Sequence, residues 1–278
     1  NSSFITSEAS DKLQFNVGGS GFYTFVTGGS EKLRIDSSGR LLVGHSSSRT
    51  TANALEPHFQ MEGINVSTST AAIVRNENSA NGPILALSKS RGASTGSNTV
   101  VQSGDITGAI HFAGADGTDL NSFTAWIQSE VDGTPGSNDM PGRLVFYTSA
   151  DNASSPSERL RIDSSGNLNL VSSSSTLTDL NFTDSLLNVF ARVEGGKSGS
   201  GVGDLRFHTY SGGLSEAARI DSSGNMGVGT TPTDSLNFSR ALDLNGANGA
   251  AFYARNNGSS TNFGVFGYFA TDTYLENK

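Results

Sequence analysis

The sequence predicts an all-β fold, with short hairpin and meander modules in series forming an elongated, intertwined homotrimeric fibre. Three observations carry that expectation. One block of fourteen residues occurs three times: EKLRIDSSGRLLVG at 31–44, ERLRIDSSGNLNLV at 158–171 and EAARIDSSGNMGVG at 216–229. Self-similarity of this kind marks a repeat architecture. Within each block apolar and polar residues alternate on both sides of a polar turn, the period of a half-buried strand. The chain is also poor in material for a core of its own. Leu, Ile, Val and Phe number 63 of 278 residues, whereas Ser and Gly number 77. That apolar share stands just above the roughly 20% below which chains tend to stay disordered. A thin, strand-rich protomer of this composition gains its missing core from partner subunits.

Five modules follow in chain order. The first, 1–50, holds the aromatic strand FYTFVTGGS and then the first block, in which Leu33 and Ile35 alternate with Lys32, Arg34 and Asp36. The second, 51–103, is a degenerate β module. Its FQMEGINVSTSTAAIVRNENSANGPILALSKS, from Phe59, resembles LLNVFARVEGGKSGSGVGDLRFHTYSG, from Leu186, and each strand there ends in an Arg followed by a polar turn. The spacing agrees: Arg34 to Arg161 is 127 residues and Arg161 to Arg219 is 58, so the first interval has room for an extra unit. The third module, 104–175, carries GRLVFYTSADNASSPS before the second block, and the fourth, 176–230, carries GDLRFHTYSGGLS before the third. For residues 184–194 a helix is the alternative, but Leu187, Val189, Ala191 and Val193 alternate, so a strand fits better. The fifth module, 231–278, repeats the outline with ALDLNGANGAAFYARNNGSSTNFGVFGYF from Ala241. Connectors at 171–176 and 230–233 separate the later modules.

The turn residues are the strongest local signal. Asp36, Asp163 and Asp221 suit the first position of a type I turn, where a carboxylate accepts a nearby backbone N–H. Gly39, Gly166 and Gly224 suit the fourth, where φ turns positive, giving a hairpin with a G1 bulge. Arg34, Arg161 and Arg219 lie two residues before those aspartates and so project from the same strand face. The structural reading is an Arg–carboxylate link between strands or protomers, with the Asp also capping the turn. The functional reading is an anion or carbohydrate contact, although a receptor site seldom needs three near-identical copies.

Composition narrows the chemistry. There is no cysteine, hence no disulfide, zinc ribbon or thiol catalysis. A net charge of −8 without a basic stripe argues against nucleic acid. No apolar run approaches the ~18 residues of a membrane helix, so membrane insertion is not expected. NSSFITSEAS lacks the pattern of a signal peptide, and the missing initiator Met suggests a processed chain or a fragment. His45, His58, His111 and His208 form no metal spacing. Asp116, Asp119 and Asn121 depart from EF-hand spacing and suit a turn equally well. Glu130, Asp132 and Asp204 sit near Gly or Ser in turn-like contexts rather than as a facing carboxylate pair. His208 and Tyr210 share a strand face as in a lyase, but aromatics at a subunit seam are commoner. The G-x-G at Gly201 and Gly203 lacks the strand–helix context of a dinucleotide site. No catalytic, cofactor-binding or metal residue is assigned, and no cofactor is expected. Trp126 is either a sugar platform or part of the shaft core. Phe263, Phe266, Tyr268, Phe269 and Tyr274 are expected in the core or the trimer interface.

The RIDSSG blocks, the stretch at 104–167 and the closing NMGVGTTPTDSLNFSRALDLNG at 225–246 resemble tail fibres of bacteriophages, closest to those of aquatic phages with repeated modules of this kind. The resemblance implies a homotrimer of interlocked β modules in the virion, joined to other tail proteins and presenting a tip to a host glycan or protein receptor. Many such fibres also carry a C-terminal chaperone domain that cleaves itself off at a Ser-Asp pair. Here the only such pair, Ser10-Asp11, lies at the opposite end. No receptor-binding residue carries over. A tailspike glycan depolymerase and a trimeric bacterial surface adhesin stand as alternatives; the second would bring heptads or an anchor, and neither is visible in the sequence.

Overall fold

A computed structural model describes residues 3–8, 12–17, 20–52, 54–172, 177–197, 203–229, 242–244, 250–255, 263–269 and 272–277. Among these the chain is all-β, its only helical piece a single 3-10 turn, Val66–Thr68. It divides into two compact units, 1–169 and 170–278.

The first unit begins with a hairpin of β1 (Ser3–Glu8) and β2 (Lys12–Val17). A four-stranded sheet follows, in the order β3 (Tyr23–Thr27), β4 (Ser30–Ile35), β5 (Leu41–Val43) and β6 (Phe59–Met61). Its first three strands are antiparallel neighbours, and β6 returns to lie parallel to β5. The next sheet is an antiparallel meander of β7 (Ile106–Gly114), β8 (Ser122–Val131), β9 (Gly142–Thr148), β10 (Ser157–Ile162) and β11 (Leu168–Leu170). Between β6 and β7 the described chain forms no strand, although the sequence predicts strands before and after Arg75. All 26 residues from 64 to 89 are exposed, Ile73, Val74, Ile84 and Leu85 included. The β-branched pattern is present there, but strands need partners, and this stretch finds none among the described residues.

The second unit holds a six-stranded sheet: β12 (Leu177–Thr183), β13 (Val189–Lys197), β14 (Gly203–Tyr210), β15 (Leu214–Ile220), β16 (Met226–Val228) and β17 (Leu242–Leu244). Here too the last strand is parallel to its neighbour. β18 (Ala250–Arg255), β19 (Phe263–Phe269) and β20 (Asp272–Asn277) form a separate antiparallel sheet. The expected placements of the side chains of Phe263, Phe266, Tyr268, Phe269 and Tyr274 lie outside what is described. So do Ser10-Asp11, Gly201, the 230–233 connector and most of the 171–176 connector.

The expected strand across 184–194 is two pieces of structure. Residues 184–188 form a turn, and β13 starts only at Val189. The alternating apolar residues straddle that turn, which is why a period of two does not reveal it.

Buried apolar residues are few. Among the described residues only Leu42, Val101, Val131 and Val145 are hydrophobic and buried.

Candidate functional site

The three blocks build the same turn, bond for bond. In the first, the Asp36 N–H donates to the Arg40 carbonyl at 3.0 Å, and the Gly39 N–H donates to the Asp36 carbonyl at 2.9 Å. Asp36 Oδ1 accepts from the N–H groups of Ser38 and Arg40. Asp163 does the same with Ser165 and Asn167, and Asp221 with Ser223 and Asn225. Gly39, Gly166 and Gly224 have φ of 77°, 83° and 80°, in the left-handed region that glycine enters without strain. These bonds hold the carboxylates ionised. The Asn167 side-chain amide, then its backbone N–H, pulls Asp163 below the usual carboxylate range. At Asp221 burial pushes upward, but the backbone and side-chain amides of Asn225 outweigh it and the net shift is down.

A fourth copy of this turn closes the β12–β13 hairpin. Asp184 Oδ1 accepts from the N–H groups of Leu186 and Asn188 at 2.9 Å each, and the Leu187 N–H donates to the Asp184 carbonyl. Leu187 occupies the glycine position with φ of 63°. Asp at the first position and Asn at the fifth were the available signal, masked by Leu where glycine was expected.

Arg34, Arg161 and Arg219 do not pair with the aspartates of their own blocks. Each binds the glutamate three residues earlier with two N–H donors: Arg34 to Glu31 at 2.7 Å twice, Arg161 to Glu158 at 2.7 and 2.6 Å, Arg219 to Glu216 at 2.6 and 2.5 Å. Residues three apart on a regular strand face opposite ways. A bulge reverses that parity in every block. The pairing skips Lys32, Arg159 and Ala217, the residue after each glutamate. The bulge turns Glu and Arg to one face, and the N–H of Gly44 and of Gly229 donates to the carbonyl of the bulged Lys32 and Ala217. The guanidinium in turn lowers the glutamate pKa at Glu31 and Glu216.

Register then sorts each sheet into two contrasting faces. In the six-stranded sheet the Arg219 face also carries Arg206, His208, Asp204, Glu194 and Arg192. Arg206 reaches Glu194 and Asp204 at 2.8 Å each, Arg192 reaches Asp179 at 3.2 Å, and His208 lies 3.5 Å from Glu194. Glu194 is only 3% exposed. The other face carries Leu180, Phe182, Leu205, Phe207, Ile220, Met226 and Val228, all exposed, Leu180 to 50%.

The five-stranded sheet repeats the arrangement. On the Arg161 face, Arg143 bonds Glu130 and Asp132, and Gln128 and Tyr147 also donate to Glu130. Burial raises the Glu130 pKa, but these donors outweigh it and the net shift is down. The backbone N–H of Ser164, then Arg143, lowers Asp132 to about 2, and burial followed by Glu130 raises the Tyr147 phenol to about 12. Trp126 sits on this face among His111, Phe123 and Tyr147, with ring centroids 5.1–5.4 Å away. The opposite face carries Ile110, Phe112, Leu144 and Ile162, all exposed. In the four-stranded sheet, Phe25, Ile35 and Phe59 are exposed opposite Arg34, Leu42 and Gln60.

Of the other residues noted in the sequence, Asp116, Asp119, Asn121 and His45 fall in turns and loops, and His208 and Tyr210 in β14. Asp116 Oδ1 accepts from the N–H groups of Thr118 and Asp119, Asp119 from that of Asn121, and Asn121 Oδ1 from that of Ala54. His45 Nδ1 lies 2.8 Å from the Ser47 carbonyl. His208 and Tyr210 share a face, His208 against Glu194 and Tyr210 exposed. Among the described residues no three of His, Asp or Glu cluster as a metal site, and no helix is long and apolar enough to cross a membrane.

No protein-family model and no curated protein sequence matches the chain. Among solved structures, it is similar to the carboxy-terminal domain of the L-shaped tail fibre of bacteriophage T5, at 9% identity and a TM-score of 0.30, over 61% of this chain and 94% of that one. The same T5 domain with its intramolecular chaperone domain gives 11% identity and a TM-score of 0.30, over 60% of this chain and 64% of that one. A TM-score of 0.30 lies below what a shared fold requires.

Proposed function

We propose that the chain is the protomer of a homotrimeric phage tail fibre, a stiff shaft or spacer in the virion between the tail and the host surface. The observation that supports this most is the open apolar face on each of the three sheets whose side chains are described. A monomer would bury those faces against its own elements; a fibre protomer buries them against two copies of itself. The phage assignment rests on the RIDSSG blocks and the stretches that resemble tail fibres.

The work of such a fibre is mechanical. Three chains share one core, the charged faces look outward, and several fibres per particle turn weak receptor contacts into avid attachment. The fibre would join other tail proteins at one end and approach a host glycan or protein receptor at the other. It is a structural component rather than an enzyme.

Gold-labelled antibodies against the chain test this reading on intact particles. Label along the tail fibres, with adsorption to host cells blocked, is the expected result. Label on the head, or sustained release of oligosaccharide from host capsule or lipopolysaccharide by the purified protein, would overturn it.

A further inference from the structure

Two strands occupy equivalent places in the fold. β6 lies parallel to β5 in the register Leu41–Phe59, Leu42–Gln60, Val43–Met61. β17 lies parallel to β16 in the register Met226–Leu242, Gly227–Asp243, Val228–Leu244. Each fills the edge beside the last strand of a RIDSSG block. The middle block has the same last strand, β11, but there the sheet ends. Among the described residues no strand occupies that edge, and Leu168, Asn169 and Leu170 are all exposed.

The chain nevertheless contains a strand of the matching kind. Leu180-Asn181-Phe182 in β12 has the apolar–polar–apolar pattern of Phe59-Gln60-Met61 and Leu242-Asp243-Leu244. β12 itself ends the six-stranded sheet, with β13 on one side and no strand described on the other. What differs is the connection. Fifteen residues, 44–58, join β5 to β6, and thirteen, 229–241, join β16 to β17. Setting Leu180 beside Leu168 in the same way leaves nine, 171–179. A parallel return needs about a dozen residues or more, so the tether is too short for the chain to fill its own edge. Two complementary edges remain, neither paired with a further strand among the described residues.

We propose that β11 of one copy pairs in parallel with β12 of a second copy, in the register Leu168–Leu180, Asn169–Asn181, Leu170–Phe182. The proposal rests on the homotrimer reading and adds the strand exchange that closes its ring. Partners in a register share a face, so Leu168, Leu170, Leu180 and Phe182 form one apolar row, with Asn169 beside Asn181 on the opposite face. A slip by one residue would set asparagine into the apolar row. The occupant is a second copy because the missing strand is this chain's own, held away from its place only by the short connection. Lengthening such a connection favours return to the same chain.

The absence of cysteine allows a direct test. Asn169→Cys and Asn181→Cys in one chain, oxidised with copper phenanthroline, should link most chains to one another, with bands of two and three chains on non-reducing denaturing gels. Neither single variant should give that ladder. A link inside one chain, or no link in a protein whose native mass is still three chains, would overturn the exchange and leave the trimer standing. A native mass of one chain for the unsubstituted protein would overturn both. A second variant with six Gly/Ser residues inserted after Ser172 should move the link from between chains to within a chain. A link still wholly between chains would overturn the tether argument.

Discussion

On one face of the six-stranded sheet Glu194, Asp204, Arg206, Glu216 and Arg219 form a chain of ion pairs; on the other, Leu180, Phe182, Leu205, Phe207 and Ile220 stand in solvent. A globular domain reverses this distribution, burying its aliphatic side chains and leaving its charges wet. The contrast separates two jobs. Ion pairs of this kind contribute little net free energy, because desolvation consumes most of the attraction, but they fix strand register and lock the bulge. Net stability has to come from the other face, where fully burying one Leu or Phe is worth about 1.5–3 kcal/mol. Local geometry is thus written in charge, and in the proposed homotrimer cohesion would come from assembly.

The largest expected effect comes from placing a charge on the open face. Leu205→Asp with Phe207→Asp should abolish the oligomer, measured as native mass falling to one chain. The same pair of substitutions on a true monomer would leave the mass unchanged.

Acid acts on the charged faces and on the aspartate turns together. The carboxylates at Glu31, Asp36, Glu130, Asp163, Asp184, Glu216 and Asp221 are all held below their ordinary values, and Asp132 is held to about 2. A lowered folded pKa gives stability that is present above the unfolded value, near 4, and is lost as pH falls through the folded one. The melting temperature should therefore hold between pH 8 and about 5 and fall between about 4 and 2. Loss centred near neutral pH would contradict this account of the charged face.

Glu194→Ala leaves Arg206 and Arg192 short of a buried partner. The expected loss is about 3 kcal/mol per protomer in urea unfolding, with the native mass unchanged at low temperature. The smallest contrast is between turns. Gly224→Ala places a Cβ at φ of 80° and should destabilise by about 1–2 kcal/mol. Leu187→Gly relieves the same conformation in the fourth turn and should stabilise by about 0.5–1 kcal/mol.

The turns were legible in the sequence because their chemistry is local. Asp at one end and Gly at the other specify the backbone between Asp36 and Gly39 without help from the rest of the chain. The aromatic strands upstream of each block were legible for the same reason, since a short loop joins each pair. Arg34 was expected to link to a carboxylate of a neighbouring strand or protomer, but its partner is Glu31 on its own strand, three residues earlier, which strict alternation puts on the other face. The bulge at Lys32 belongs to the pairing of two strands, so periodicity along one strand carries no trace of it. The fourth turn was hidden by Leu187, and the strands expected around Arg75 have the right residues without a partner among the described residues. Information of that last kind is spread over separate segments, and one stretch read alone does not contain it.

The claim that the open faces are closed by identical copies is tested most directly by the mass of the unsubstituted protein in solution. Native mass spectrometry across a dilution series should find three times 28.9 kDa, with dissociation and unfolding occurring together. A compact single chain that survives dilution and heating would contradict the account.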